Sequence, residues 1–295
     1  VHVPMMATAV KAWFPLGERS RANSMSAAGI FLAVLLAPMM LVPVMADFGW
    51  RAGFYLLAVA GLVISLPLIK RYVYDRPDLH PIITDDERLE LAAKHAVEGE
   101  EDDAVLHLKD VLRMPRYLLM VAIATGNSLI GLGLTSWVPS YYTNNRGIPF
   151  EDITWLVAAP YAFSLFGLAL WSTLGDRFNI RALLTGSCAI GAAVVLYLAL
   201  EADTIAAVIV LFSLAVFLLS SFQASEFALL QRVVPHERFA TAAGIYNGVS
   251  VFIGGGLGPL LVSPIIGDGS GTWIVSVVAV ANGVMLLLFA RLVRY

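Results

Sequence analysis

Charged residues are scarce in this chain of 295 residues: only 14% are Asp, Glu, Lys or Arg, whereas 59% are hydrophobic. A soluble domain has about 25% charged and about 45–50% apolar residues. The apolar content exceeds what a water-soluble core of this length needs, which argues against an ordinary soluble enzyme or binding domain. The composition therefore predicts that lipid surrounds most of the chain.

Cysteine is almost absent from the chain. The single Cys188 excludes an internal disulfide framework, and we interpret it as a small packed apolar residue. The net charge is −3, so the sequence gives no indication of a nucleic-acid partner. The sequence starts at Val1 without Met and without a basic signal-peptide region, which predicts a fragment of a longer protein.

Signatures of soluble enzymes are missing as well. Residues Gly254 to Gly258 superficially resemble a phosphate-binding loop, but no strand precedes them and no Lys-Ser/Thr follows. Within an apolar helix, glycines four residues apart, as here and at Gly244 and Gly248, predict close packing of a neighbouring helix instead. No nucleophile–base pair or metal-ligand cluster is visible in the sequence. We therefore predict no enzyme activity, no metal and no cofactor.

Nine apolar segments account for most of the sequence. A bilayer core needs about 20 residues of helix, and every segment except the first meets or approaches that length. Helices are required because backbone polar groups find no water inside lipid. We therefore predict an all-α membrane protein. The segments are 1–14, 22–46, 51–70, 116–142, 152–174, 181–200, 204–231, 239–266 and 272–293.

A repeated pattern divides these segments into two related halves. Pro15 and Pro235 stand about 220 residues apart, and each precedes a Glu-Arg pair and then a Pro-x-x-x-x-Pro motif within an apolar run. Such duplication is typical of membrane transporters. Six apolar segments follow the long polar stretch, whereas only three precede it. The predicted units are an incomplete first bundle at 1–70, a loop between bundles at 71–115 and a complete six-helix second bundle at 116–295.

Basic residues lie almost entirely on one side of the predicted membrane. When successive segments alternate in direction, only Arg51 and Arg146 fall on the opposite side. Basic residues in short loops favour the cytoplasm. The loop 71–115 and the C-terminus are therefore predicted to be cytoplasmic, in a plasma or inner membrane that the chain crosses several times.

The stretch 71–116 is polar, with seven basic and twelve acidic residues. Thr84 and Glu87 have the spacing of a capping box, and an apolar stripe follows them from 89 to 97. A second short amphipathic helix is expected within 105–112. The stretch can be a plain linker between the bundles or a regulatory docking element, and the sequence leaves both interpretations open.

Four stretches of the chain resemble one family. Residues 13–19, with Trp-Phe-Pro and Glu-Arg, and residues 48–55, with Phe-Gly-Trp-Arg and Phe-Tyr, resemble the fourth-to-sixth helix region of the major facilitator superfamily. Residues 136–147 resemble the end of the seventh helix in its anion:cation symporter group, which carries hexuronates, sugar acids, phthalate and similar carboxylates. Residues 174–181 resemble the superfamily's loop between helices eight and nine. Ser172 departs from that loop motif, which usually has Gly there.

The resemblance implies a major facilitator-type helical bundle that works as a secondary active transporter. It implies proton-coupled symport of a small organic anion, a carboxylate or sugar acid, by alternating access, and we expect a monomer in the lipid bilayer. The alternatives are an exporter or antiporter of the same fold and, from another class, a membrane sensor that binds a solute without moving it. The family's acid of helix four would fall just before Val1. A first bundle that lacks three helices cannot close a cavity, so we do not expect the chain to transport alone.

Asp176, Arg177 and Arg181 are the candidate gating residues. The resemblance implies that Asp176 and Arg177 form a charge pair that stabilises one conformer and breaks in the other. The other interpretation is an ordinary positively charged cytoplasmic loop.

Glu226 is the carboxylate that lies deep within an apolar segment. Intramembrane carboxylates are costly and tend to face cavities or partners, so Glu226 is the candidate for proton coupling. The other interpretation is a structural pair with Arg232 or Lys11. The candidates for substrate binding are Lys11, Asn127, Ser128, Gln223, Tyr246 and Asn247. Their amides, hydroxyls and ammonium group can bind an anion or sugar hydroxyls, although such groups also link helices to one another.

Overall fold

The computed structural model describes residues 2–74, 80–99, 107–149, 153–260 and 272–292. Helices account for almost all of these residues, and no β-strand occurs among them. The prediction of an all-α protein is therefore confirmed.

The first part of the chain forms helices joined by short turns. They are α1 (His2–Trp13), α2 (Arg19–Phe48), α3 (Trp50–Ala60) and α4 (Leu66–Tyr72). Pro15 follows the end of α1, because it has no amide hydrogen with which to continue a helix, and a 3₁₀ turn then leads into α2. Gly49 joins α2 to α3 with φ of 80°, a left-handed conformation that glycine adopts without strain. A π-helical turn, Gly61–Ser65, connects α3 with α4.

A capping box starts the polar helix α5 (Asp85–Gly99), as predicted. The Glu87 amide donates to Thr84 Oγ1 at 3.3 Å, and the Thr84 amide donates to Glu87 Oε2 at 3.0 Å. These bonds satisfy amides that the first turn of a helix leaves without partners. The short helix α6 (Leu108–Arg113) confirms the second predicted helix of this stretch. Residues 100–106, which carry most of the acidic run, lie outside the described residues.

The second part of the chain forms longer helices that pack together. They are α7 (Pro115–Ser140), α8 (Ile153–Phe178), α9 (Arg181–Leu200), α10 (Ile205–Val233), α11 (Phe239–Ser250), α12 (256–260) and α13 (Thr272–Leu292). A π-helical turn, Val251–Gly255, joins α11 to α12. Pro264, the last proline of the repeated motif, lies outside the described residues.

Seven helical stretches among the described residues are long and apolar enough to cross a bilayer. They are Arg19–Met45, Trp50–Tyr72, Pro115–Asn145, Trp155–Phe178, Arg181–Leu200, Ile205–Val233 and Val275–Leu292. Each corresponds to one of the nine predicted segments. Of the other two, α1 has 12 residues, and the segment 239–266 runs into residues outside the described part.

Helices α7 to α13 form one bundle with α1 and α2 against its side. Helix α10 packs along α8 and α9, and α13 packs along α9 and α7. One cluster of buried apolar side chains surrounds Tyr117 and Phe239, and a second surrounds Trp137 and Phe212. Helix α2 lies against α8 and α10, and α1 lies against α11. The first part of the chain therefore meets the second bundle through α1 and α2.

Two of the four glycines predicted to allow close helix packing do so. At Gly254 a Cβ atom would collide with the carbonyl oxygen of Thr125, and at Gly258 it would lie 2.7 Å from that of Leu129. These glycines therefore bring the π-helical turn and α12 against α7. Gly244 and Gly248 have nothing within 4 Å of an added Cβ. The packing prediction is wrong for that pair, because the same spacing on α11 faces no neighbouring helix among the described residues.

The backbone repeats itself at the offset found in the sequence. Helix α1 ends at Trp13 and α10 ends at Val233, and in both places a single residue, a proline, a 3₁₀ turn and a new helix follow. The carbonyl oxygens of Pro15 and Pro235 each accept a bond from the amide three residues later, at 2.9 Å and 3.2 Å. The sequence repeat therefore corresponds to a repeated helix–turn–helix structure.

Candidate functional site

Lys11 bonds the end of α1 to the end of α10. Its side chain is buried, and Nζ donates to the carbonyl oxygen of Val234 at 2.8 Å and to that of Gln231 at 3.5 Å. The last carbonyls of a helix have no partner within the helix, and the helix dipole makes this end negative. An ammonium group at this position therefore satisfies α10 from a neighbouring helix.

Gln231 makes the reciprocal contact from α10 to the first part of the chain. Its Nε2 donates to the carbonyl oxygen of Ala7 at 2.8 Å, and its Oε1 accepts a bond from Asn23 Nδ2 at 3.4 Å. Gln231 and Asn23 are both buried. Polar side chains from α1, α2 and α10 thus close this part of the interface.

Asp176 and Arg181 form a buried ion pair beside this contact. Their side chains are only 3% and 1% exposed, and Arg181 Nη2 lies 2.6 Å from Asp176 Oδ1. Arg181 Nη1 also donates to Asn179 Oδ1 at 3.0 Å, in a turn where Asn179 has φ of 53°. Asparagine tolerates this left-handed conformation better than most residues. Arg181 Nε and Nη2 both donate to Asp176 Oδ1, at 3.2 Å and 2.6 Å, and these charge-assisted bonds fix the turn between α8 and α9.

The same ion pair holds the start of α2. Asp176 Oδ2 accepts the backbone amide of Arg21 at 3.0 Å and lies 3.4 Å from Arg21 Nε. Arg181 Nε donates to Ser20 Oγ at 2.5 Å. A carboxylate at the positive N-terminal end of a helix is favourable, so Asp176 binds α2 through its free amide and through charge. We call this region, with Lys11, Arg181 and their partners, the basic end of the bundle.

The charge pair expected between Asp176 and Arg177 is not formed among the described residues. Arg177 is exposed, and its Cζ lies 5.7 Å from the ring centre of Phe178. Consecutive residues of a helix point about 100° apart, so the two side chains cannot face the same neighbour. The partners of Asp176 are Arg181, at the start of the next helix, and Arg21, from the first part of the chain.

Glu226 pairs with a tyrosine. Tyr246 Oη donates to Glu226 Oε1 at 2.9 Å, which joins α10 to α11. Tyr117 Oη donates to the carbonyl oxygen of Ala242 at 2.8 Å and attaches α7 to the same stretch of α11. Glu226 lies seven residues before the end of α10 at Val233, or about 10 Å along the helix axis. Among the described residues the observed side-chain partner of Glu226 is therefore Tyr246, and no bond joins it to Arg232 or Lys11 there.

The remaining substrate-binding candidates lie in different places. Gln223 is three residues before Glu226 on one face of α10, and its Oε1 is buried without a hydrogen-bond partner among the described residues. Ser128 packs against Gly254, and its Cβ lies 2.9 Å from the position that a Cβ added to Gly254 would take. Asn127 lines a cavity inside the second bundle. Asn247 is half-buried on α11 next to Tyr246. Glu226 is thus bonded to Tyr246, with Gln223 three residues earlier on α10, whereas Lys11 is bonded to the end of α10 and Asn127 lines the cavity.

Several residues of the interface were missed by the sequence analysis. They are Ser20, Arg21, Asn23 and Gln231, which bond α1 or α2 to the second bundle. One signal was available for Gln231, since it stands 220 residues after Lys11 at the equivalent position of the repeat. Ser20 and Asn23 carry no signal, because small polar residues are common at helix starts for local reasons.

Metal-binding clusters are absent from the part of the chain that the structure describes. No group of three or more His, Cys, Asp or Glu side chains is placed there to hold an ion. Cys188 is a free, buried thiol, in agreement with its interpretation as a packed residue.

The structure combines helices of membrane-spanning length with a buried polar interface between the first and the second part of the chain. These features define a multi-pass helical membrane protein. The chain belongs to the Major Facilitator Superfamily, whose family model matches residues 1–259. This confirms the resemblance found in residues 13–19, 48–55, 136–147 and 174–181.

Curated relatives of the chain are transporters by name. It is 27% identical over 197 residues to a probable sulfoacetate transporter of Cupriavidus necator, and the aligned region covers 67% of this chain and 44% of that protein. It is 24% identical over 280 residues to a hexuronate transporter of Bacillus subtilis, and the aligned region covers 90% of this chain and 62% of that protein. It is 26% identical to a probable chloroplastic anion transporter of Arabidopsis thaliana over 63% of this chain and 36% of that protein. The chain thus spans less than two thirds of these relatives.

Proposed function

We propose that this chain is part of a secondary active transporter that carries a small organic anion together with protons across a cell membrane. The mechanism is alternating access, in which the basic end and the opposite end of the bundle open in turn. The basic end faces the cytoplasm, since basic residues in short loops favour that side.

The names of the relatives support an organic anion as the substrate. Sulfoacetate and hexuronate are both small organic anions, and the plant relative is named an anion transporter without further detail. Because fold alone does not determine a substrate, the anion class rests on these relatives.

The basic end is the observation that carries the mechanism. Lys11, Gln231, Asp176 and Arg181 bond helices from the first part of the chain to α8, α9 and α10. These contacts close one end of the interface between the two parts. A path can open there only if the contacts break, so they stabilise one of the two facing states, as alternating access requires.

Glu226 is the proposed site of proton coupling. It is the carboxylate that faces Tyr246 inside the membrane-spanning part, and a bound proton would replace the bond that Tyr246 Oη now donates to it. Intramembrane carboxylates of this kind commonly belong to proton pathways. Gln223, on the same face of α10, offers an amide to the carried anion.

The test is uptake of labelled hexuronate and sulfoacetate into proteoliposomes that contain the full-length protein, with and without an imposed pH gradient. We expect the gradient to drive accumulation. Glu226→Gln should retain exchange of substrate between the two sides and lose accumulation, because its amide cannot carry a proton. Glu237→Gln is the matched control, since Glu237 is exposed in the turn after α10.

Accumulation that ignores the pH gradient would refute proton coupling. Equal effects of Glu226→Gln and Glu237→Gln would remove Glu226 from the coupling path while leaving the transport proposal intact. Substrate binding without any movement across the membrane would favour a sensor, and anion extrusion driven by an opposite proton movement would favour an antiporter.

A further inference from the structure

The second bundle contains a polar cavity between four of its helices. Asn127 on α7, Thr185 on α9, Ser221 on α10 and Asn282 on α13 each contribute a polar side chain to its lining, which is otherwise apolar. The described lining includes no titratable side chain, and neither Glu226 nor Tyr246 belongs to it. The cavity is therefore separate from the proposed coupling site.

Asn282 presents an unsatisfied acceptor inside this bundle. The residue is only 4% exposed, and its Oδ1 has no hydrogen-bond partner among the residues that the structure describes. A buried amide oxygen without a partner is costly, and lipid around the bundle supplies no donor. Gly126 on α7 leaves room for this amide, because a Cβ there would collide with Asn282 Oδ1 and would lie 2.8 Å from Nδ2. The side chain is thus held against α7.

The cavity has the size of one water molecule. The volume open to the centre of a water-sized sphere is about 10 Å³, close to the smallest space that holds a water, roughly 10–15 Å³. An organic anion needs a pocket of about 300 Å³ or more. A water also needs two to four polar partners, and the side chains named above provide them.

We propose that a single structural water molecule occupies this cavity and donates a hydrogen bond to Asn282 Oδ1. Its remaining bonds go to the hydroxyl groups of Thr185 and Ser221 or to the amide of Asn127. A dehydrated sodium ion would fit the volume but would bury a positive charge with no carboxylate in the lining, which is far costlier than burying water. This inference does not depend on the proposed function.

The water gives the bundle a specific link. Helices α7 and α10 carry Ser128, Gln223 and Glu226, the candidates for substrate and proton binding. The proposed water connects these two helices to α9 and α13 behind them. Asn127 then has a structural role inside the bundle in place of the substrate contact that the sequence suggested.

The direct test is an experimental map of the full-length protein at a resolution that shows ordered water. We expect a density peak within hydrogen-bonding distance of Asn282 Oδ1 and of one of the hydroxyl groups of Thr185 and Ser221. A cavity without such a peak in a map that shows other buried waters would overturn the proposal.

Thermal unfolding of variants gives an independent test. Asn282→Leu keeps the shape of the side chain but removes the acceptor. The water and its other partners then lose one hydrogen bond inside the bundle. We expect the unfolding temperature to fall by about 2–8 °C. A rise would mean that Oδ1 has no partner in the wild type, which contradicts the proposal. Thr185→Val removes a different partner and serves if Asn282→Leu does not fold.

Sodium distinguishes the two possible occupants. The unfolding temperature of the wild type should be the same in sodium chloride and in choline chloride at equal concentration. A sodium-specific rise that Asn282→Leu abolishes would replace the water with a cation site.

Discussion

Lys11 and Gln231 occupy equivalent positions of the repeat, 220 residues apart, and they bond directly across the interface. Lys11 Nζ donates to the carbonyl end of α10, and Gln231 Nε2 donates to the carbonyl oxygen of Ala7 on α1. The two bonds are therefore reciprocal. In a protein built from a repeat, helices that end at the same level meet near the symmetry axis, so equivalent side chains face one another.

Lys11→Met should loosen the basic end. The substitution keeps the length of the side chain but removes the donor that caps α10. We expect backbone amides in 229–236 to exchange hydrogen roughly 5–150-fold faster, the range of typical coupling free energies between two states. The measurement is hydrogen–deuterium exchange of the purified protein.

Lys109→Met is the control for this change, because Lys109 is exposed on α6. Unchanged exchange in Lys11→Met would show that the Lys11 contact does not stabilise the closed interface.

Asp176→Asn should slow transport more than Arg177→Gln. Asp176 bonds both Arg181 and the start of α2, whereas Arg177 is exposed and lies over Phe178. We expect Asp176→Asn to reduce the transport rate about 5–150-fold at normal membrane insertion. Arg177→Gln should leave it nearly unchanged. Transport assays in proteoliposomes decide between the pair seen in the structure and the pair expected from the motif; a larger effect of Arg177→Gln would favour the latter.

Labelling of single cysteines should establish the orientation. In a Cys188→Ala background, Asn145→Cys and Lys109→Cys place one thiol at each end, and both positions are exposed. A membrane-impermeant reagent added to intact cells should modify position 145 and spare position 109, because basic residues concentrate at the end that includes Lys109. The reverse pattern would invert the proposed orientation.

Gly258→Ala should destabilise the bundle, whereas Gly256→Ala should not. An added Cβ at Gly258 would lie 2.7 Å from the carbonyl oxygen of Leu129, whereas at Gly256 it would meet no atom of the described residues within 4 Å. Overpacking of this kind costs about 1–3 kcal/mol. Both variants replace glycine by alanine within α12, so helix propensity changes equally in the two. The difference in their unfolding temperatures therefore reports the contact with α7. Equal stability would show that α12 moves away from α7 easily.

The start of α5 should lose stability as the pH falls. Hydrogen bonds from the backbone and side chain of Thr84 hold the pKa of Glu87 below its usual value. The stabilisation of α5 by Glu87 is therefore fully present above the pKa that Glu87 has in the unfolded chain. It is lost as the pH falls through the lower pKa of the folded state. Exchange of the amides in 85–90, corrected for intrinsic rates, should show this loss.

Glu87→Gln is the matched variant for this pH effect. Glutamine can still complete a capping box but does not titrate in this range, so the pH dependence should disappear while the helix persists. If the exchange of these amides still depends on pH in Glu87→Gln, another titrating group causes the effect.

Local chemistry made several features predictable. Apolar run lengths placed the membrane helices, because a helix must supply all backbone hydrogen bonds inside lipid. Thr84 and Glu87 predicted a helix start, since the capping box involves only residues within one turn. The prolines at 15 and 235 marked the repeated helix ends for the same reason.

The tertiary structure alone decided which side chains meet. Among the described residues, Asp176 pairs with Arg181 and not with Arg177, and Glu226 pairs with Tyr246 and not with Lys11. Gly258 packs against α7, whereas a Cβ added at Gly244, with the same spacing pattern, would meet no described residue within 4 Å. Sequence periodicity fixes the face of a helix on which a residue lies, but the neighbour opposite that face depends on how whole helices pack. The amino-acid sequence therefore determined the helices, their ends and the superfamily, while the packing of α1 and α2 on α8, α9 and α10 determined the contacts at the basic end.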